Sequence, residues 1–282
     1  MVSRSAPIVN HAVAAHNVLI PKGDERRATI EWAIAAAELI MARNKPRMGR
    51  REAIGALGAM GAAFVLPSRS ASRRGAALDC VVVPEMTEGP FFVDEKLERS
   101  DLTAGTSEPF VTRGLPLLLR IGVFQVKGGA CAPLVGSQVD VWHASAEGVY
   151  SDERSGRIQE KDTVGEKYLR GYQRTDPNGA VTFATIYPGW YPGRTTHIHF
   201  KIRGLARSGG ATYDFTSQLF FDDAINDAVL ARPPYDTRGL RKVRNVNDGI
   251  YRRGRGSALV LDARQAADGQ GYTGSFNVGL RI

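Results

Sequence analysis

The chain has 282 residues, 43% hydrophobic and 23% charged, enough for one sizeable core plus an appendage. Its net charge of +8 is uneven: residues 1–79 carry 12 Lys/Arg against 6 Asp/Glu, which leaves only +2 for the remainder. The body therefore gives no electrostatic reason to invoke a nucleic-acid partner, and the composition excludes a disordered or a disulfide-dense chain.

In chain order, Asp24–Asn44 reads as an amphipathic helix rich in Ala, Glu, Leu and Arg. A charged cluster, Arg47, Arg50 and Arg51, precedes an apolar run from Ala53 to Leu66, and Pro67 and Ser68-Arg69-Ser70 follow. At about 1.5 Å per residue this run is too short for ~30 Å of hydrocarbon, so no stable membrane span is expected. Its proportions are those of a signal peptide core, and the paired arginines resemble a twin-arginine signal. The expected organisation is a 1–47 N-terminal extension with Met48 as an alternative start, a 48–79 signal and linker, and an 80–282 body. The expected location is periplasmic or extracellular, with a cytoplasmic protein carrying a plain Ala/Gly helix as the alternative.

The body reads as mainly β, an antiparallel sandwich with long loops and few short helices. Strands are expected over Pro116–Val126, Ser137–Ala144, Gly179–Tyr187, Thr196–Gly204, Thr216–Phe221, Ala258–Asp262 and Tyr272–Ile282. Asp176-Pro177-Asn178-Gly179 marks a turn, and Asp222–Arg232 reads as a helix. Within Ser137–Ala144, alternation puts Val139, Val141 and His143 on one face and Asp140 and Trp142 on the other. The polar loops Thr103–Arg113 and Tyr150–Lys167 exceed what a minimal sandwich needs, and such loops are where sites are built.

His197-Ile198-His199 is the strongest local signal. On a strand, residues i and i+2 share a face, so both imidazoles converge while Ile198 enters the opposite layer. Only three of the five histidines, His143, His197 and His199, lie in the body. Two histidines alone are equally the mark of a polar, hydrogen-bonded strand face. Zinc or iron(II) would call for a third His, a Cys or a carboxylate, and no HxD or HxE motif supplies one. Tyr191 and Tyr150 stand nearby; ionised phenols are hard donors suited to a trivalent ion, though a single tyrosine is more often a core aromatic. His143 stays open between a partner near the site and a packed core histidine.

Several blocks together resemble the intradiol ring-cleavage dioxygenases, the class of catechol, hydroxyquinol and protocatechuate 3,4-dioxygenases. They are TEGPFF (Thr87–Phe92), RSDL (Arg99–Leu102), APLVGSQVDVWHASAEGVYSD (Ala132–Asp152), YLRGYQRTDPNGAVTFATIYPGWYPGRTTHIHF (Tyr168–Phe200) and TSQLFF (Thr216–Phe221), in family order. The likeness is greatest to small exported members. It implies one Fe(III) per chain held by Tyr150, Tyr191, His197 and His199, with Tyr191 also acting as base. It implies Arg194 beside the substrate as a charge stabiliser, and Gln218, Gly89 and Pro90 around the same pocket. The implied reaction takes an aromatic diol and O2 to a cis,cis-muconate-type product. The six-residue step from Tyr191 to His197 is shorter than in catechol and protocatechuate enzymes, and no long helical dimerisation region is recognisable, so the substrate and a homo-oligomeric state are left open. A bridge between Cys80 and Cys131 is expected in an exported body. The rivals are a transthyretin-like or carboxypeptidase-regulatory-like binding module, which would not require the His pair, and a cupin-like iron(II) oxygenase, which needs a carboxylate.

Overall fold

The structure is a computed structural model that describes residues 81–156, 158–205 and 211–282. The expected Asp24–Asn44 helix, the signal-like segment with Met48, and Cys80 lie outside the described residues. Nine strands are described: β1 (Pro116–Lys127), β2 (Ala130–Pro133), β3 (Gln138–Trp142), β4 (Arg170–Arg174), β5 (Ala180–Ile186), β6 (His197–Leu205), β7 (Ala211–Phe220), β8 (Asp262–Gln265) and β9 (Tyr272–Leu280). Three short helices join them: α1 (Pro109–Thr112), α2 (Asp223–Leu230) and α3 (Gly249–Arg253).

The strands form two sheets, as the mainly β reading requires. One has the order β4-β3-β6-β7, all antiparallel. In the other, β1 is central: β5 and β2 share one of its edges, and β9 and then β8 extend from the opposite edge. The β1–β9 pair is parallel, and the other pairs between the described strands are antiparallel, in keeping with the expected antiparallel sandwich. A single cluster of buried side chains takes residues from both sheets, among them Leu119, Ile121 and Phe183 from one and Val139, Ile198, Phe200 and Ile202 from the other. Burying each of these large apolar groups contributes about 1.5–3 kcal/mol, which is why the period-2 pattern of β6 fixes its register.

The expected strand at Ala258–Asp262 is corrected. A 3-10 turn covers Gly256–Leu259, and β8 begins at Asp262. Leu259 and Leu261 are both buried in the core, so the apolar spacing reflects a turn folding onto the sheets rather than a pleat. β2 and β4 were not expected. β4 is short and polar, and its Arg170 is buried beneath loops instead of alternating outward. α2 starts where Asp222 accepts from Ala224 N, close to the expected start.

His143 is a core histidine. Its Nδ1–H donates to the Ala144 carbonyl at 2.9 Å, so Nε2 accepts from the Thr185 hydroxyl at 2.7 Å, across to β5. Burial drives its pKa from 6.5 down to about 4, because a charged imidazole there would lose its hydration. The unfolded chain therefore binds the proton first as pH falls. The stability that neutral His143 confers is complete above pH 6.5 and drains away towards pH 4. Between pH 8 and pH 5 this one residue should remove about 2 kcal/mol. Urea unfolding of wild type and His143→Gln over that range checks it: the wild-type curve should fall more steeply by this amount, and parallel curves would refute the assignment.

Candidate metal centre

The site is built on β6 and two loops. β6 pairs His199 with Trp142 on β3 and with Gln218 on β7, and pairs His197 with Phe220. Ile198 and Phe200 point into the core, so His197 and His199 emerge together on the opposite face. The His197 Nδ1–H donates to the Thr195 carbonyl at 2.7 Å, which leaves the Nε2 lone pair directed at the site. His199 is oriented by stacking: its ring lies on Trp142 with centroids 4.9 Å apart and planes 10° from parallel.

Tyr191 comes from the loop between β5 and β6, and Tyr150 from the loop after β3. The two loops touch backbone to backbone through glycines. Gly148 has φ +79, and any side chain there would collide with the Trp190 carbonyl. A side chain at Gly189 would collide with the Ala146 carbonyl, and Gly189 N–H donates to the Ser145 carbonyl at 3.0 Å. The Tyr150 backbone is clamped further by the segment that follows it. Gln159 accepts from Tyr150 N at 2.9 Å and donates to Tyr150 O at 3.0 Å, and the Thr163 hydroxyl donates to the same oxygen at 2.7 Å. Buried Arg170 donates to the carbonyls of Ser151 and Phe91 and to the Ser151 hydroxyl. Phe91 in turn stacks on the Tyr150 ring at 4.0 Å.

The outcome is a convergence of four side-chain donors. His197 Nε2 lies 3.0 Å from His199 Nε2, 3.2 Å from the Tyr191 hydroxyl and 3.5 Å from the Tyr150 hydroxyl. Ligands about 2.1 Å from a single ion and roughly 90–110° apart stand about 3.0–3.4 Å from one another, so the spacing fits a shared metal. Burial holds both imidazoles well below the ordinary histidine range; Arg194 adds to this at His197, and His197 and then Arg194 at His199. They are neutral lone-pair donors. Burial also raises both phenols, Tyr150 well above its usual range with Tyr191 adding to the effect, so a cation is what would ionise them. Among the described residues no group of three or more His, Cys, Asp or Glu is placed to hold a metal. A metal here would thus take phenol oxygens, a donor set suited to a hard trivalent ion such as iron(III).

Arg194 lies beside this point, with Nη1 3.2 Å from His197 Nε2. Its Nη2 donates to Gln218 Oε1 at 2.6 Å, and Gln218 Nε2 donates to the Thr87 carbonyl at 2.9 Å. Gly89 also belongs there: with φ +73, its Cβ would sit 3.3 Å from His199 Cε1. Pro90 follows it on the exposed side. Between Tyr191 and half-buried Arg194, Pro192 and Gly193 are exposed. All of the expected metal ligands, together with Arg194, Gln218 and Gly89, are therefore brought to one place. His143 bonds to Ala144 and Thr185 and to none of these donors. Cys131, on β2, is disulfide-bonded, and its expected partner Cys80 lies outside the described residues.

Sequence reasoning missed Asp248, which is fully buried. Its Oδ2 accepts from Arg194 Nε at 2.8 Å and from Thr195 N at 2.9 Å, while its Oδ1 caps α3 through Ile250 N and Tyr251 N. It missed Gln159, Thr163 and Arg170 as well. Arg170 stands inside the Tyr168–Phe200 block, where a cation next to Tyr168 and Leu169 was the available hint.

The family model described as Dioxygenase matches residues 87–235, more than half of the chain. An intradiol ring-cleavage dioxygenase from Tetranychus urticae shares 29% identity over 72% of this chain and 95% of its own, with a TM-score of 0.60. The dioxygenase domain of a dioxygenase–carbohydrate-binding protein fusion from the cellulolytic bacterium Streptomyces sp. SirexAA-E shares 29% identity over 72% of this chain and 99% of that domain, with a TM-score of 0.50. No curated protein matches the chain.

Two glycines separate backbone conformation from close approach. Gly148 and Gly128 both have positive φ, but only Gly148 faces a neighbouring carbonyl. Gly128→Ala should cost about 1 kcal/mol, the strain term alone. Gly148→Ala should cost roughly 2–4 kcal/mol and loosen the two tyrosine loops together. Urea midpoints of the two variants provide the comparison, and equal losses would mean that the loop contact is not critical.

Proposed function

The chain belongs to the intradiol ring-cleavage dioxygenases, and we propose that it opens a catechol-type ring between the two hydroxylated carbons with O2, giving a cis,cis-muconate-type product. One ferric ion, held by Tyr150, Tyr191, His197 and His199, is the cofactor in this reading. The observation that carries it is the placing of two phenol oxygens and a second imidazole nitrogen within 3.0–3.5 Å of His197 Nε2, all on buried residues. A transthyretin-like binding module would have no use for this arrangement beside an aimed guanidinium. A cupin-like iron(II) site would need a carboxylate donor that the described residues do not bring.

When bound, the ferric ion supplies Lewis acidity: it ionises the phenols and draws electron density from a chelated diol. The remaining work falls to the chain. Tyr150 is 1% exposed and its backbone is clamped at both N and O, so it is the fixed donor. Tyr191 is 8% exposed and is followed by exposed Pro192 and Gly193. As a phenolate, Tyr191 would be the base that takes a proton from an incoming diol hydroxyl and becomes a neutral phenol. The Arg194 guanidinium stays charged and faces the same space, where it stabilises negative charge developing on the ring. Gly89 leaves clearance beside His199, while Phe91 stacked on Tyr150 and Trp142 stacked on His199 each cover one ring. The twin-arginine-like segment supports a location outside the cytoplasm.

The decisive experiment is metal analysis and oxygen uptake on the purified protein with catechol, hydroxyquinol, protocatechuate and caffeate-type diols. Stoichiometric iron, a visible tyrosinate-to-iron band and diol-dependent uptake are expected. Colourless protein that takes up no iron would end the proposal. Arg194→Leu should keep the iron and lose about a hundredfold or more in turnover. Tyr191→Phe should shift or weaken the visible band, whereas an unchanged spectrum would assign the metal to another tyrosine.

A further inference from the structure

We propose that Asp248, in the segment following the family-matched residues, is the positioning residue that aims Arg194 and fixes the turn leading into His197. The inference rests on the dioxygenase reading above and adds a residue that the family match, ending at 235, does not reach.

A guanidinium on a flexible stem must be held at more than one point to face a fixed direction. Gln218 holds Nη2 and Asp248 holds Nε, which leaves Nη1 as the edge turned towards the site. Of these two partners only Asp248 is charged. Burial pushes its carboxyl up, but the Arg194 charge and the N–H groups of Tyr251 and Thr195 outweigh this and hold it below its usual range. The carboxylate thus also offsets a cation kept beside a ferric centre.

The same Oδ2 grips Thr195 N, and Asn245 Oδ1 accepts from the Thr195 hydroxyl at 2.8 Å. Thr195 is the residue whose carbonyl orients His197. One turn, Asn245–Asp248, therefore fixes both the arginine and the imidazole tautomer. That turn is itself anchored to α2. Arg241 bonds Asp223 and Asp227, Arg244 bonds Asp227, and Asn245 Nδ2 donates to the Phe221 carbonyl. The described path runs from α2 through an ion-pair cluster to Asp248, and from there to the site.

The test compares Asp248→Asn with wild type, each also carrying Arg194→Leu, as iron-loaded full-length proteins. Asp248→Asn must turn its NH2 towards two N–H donors, so it should lower the thermal midpoint. It should keep its iron and lower kcat about ten- to a hundredfold with little change in KM, because the aim of Arg194 matters most where charge develops. In the Arg194→Leu background the same change should lower residual turnover by a clearly smaller factor, since the group it aims is gone and only the grip on Thr195 is left to lose. A kcat within twofold of wild type, or an equal loss in both backgrounds, would overturn the proposal. Asp248→Ser retains a capping oxygen for α3 and should repeat the pattern. If neither variant folds, Asp248 is a folding determinant and the positioning role is refuted. Failure of the underlying reading is visible separately, as wild-type protein without iron or diol cleavage.

Discussion

Two imidazole nitrogens 3.0 Å apart, with two phenol oxygens at 3.2 and 3.5 Å, set the requirement that the surrounding architecture meets. Four donors of low net charge are crowded into a pocket that strips them of water. Such crowding is unfavourable unless a cation is shared, and the surroundings are built to hold it regardless. β6 fixes the two histidines through its core-facing residues. Thr195 and Trp142 orient one ring each, by a hydrogen bond and by stacking. Burial keeps both rings neutral, the state in which they can bind a metal.

The rigid sheet supplies the imidazoles and the loops supply the phenols, and the two groups of ligands are held differently. Tyr150 is gripped by Gln159, Thr163 and the Arg170 brace, and covered by Phe91. Tyr191 has fewer restraints and is followed by exposed Pro192 and Gly193. This asymmetry is useful in a site where one ligand stays and another exchanges a proton. The cost is a buried guanidinium, Arg170, with no carboxylate partner among the described ion pairs; three carbonyl and hydroxyl acceptors compensate it.

Much of this was legible in the sequence because the informative patterns were local. The period-2 alternation of Thr196–Gly204 gives both a strand and a shared face for His197 and His199. Tyr150, Tyr191, Arg194 and Gln218 were reached through the ordered motif blocks that resemble the dioxygenases, not from spacing alone. What the sequence hid was non-local. Asp248 stands between basic residues in a stretch without periodicity, and nothing nearby marks it as a partner of a residue 54 positions earlier. The Ala258–Asp262 run misled because a buried turn and a strand both place apolar residues at short intervals. The parallel β1–β9 pair could not be foreseen, since alternation reports which faces are buried but not which strand lies alongside.

That parallel pair bears on how the molecule is made. β1 is the central strand of its sheet, yet one whole edge of it, Leu117 to Gln125, is covered only by the last described strand. During synthesis the first sheet keeps an open flank until β9, about 150 residues after β1, has emerged. Closing so distant a contact is entropically slow, and an uncovered apolar strand invites association with other chains in the interval. The closing of this sheet therefore depends on its most distant strand pairing.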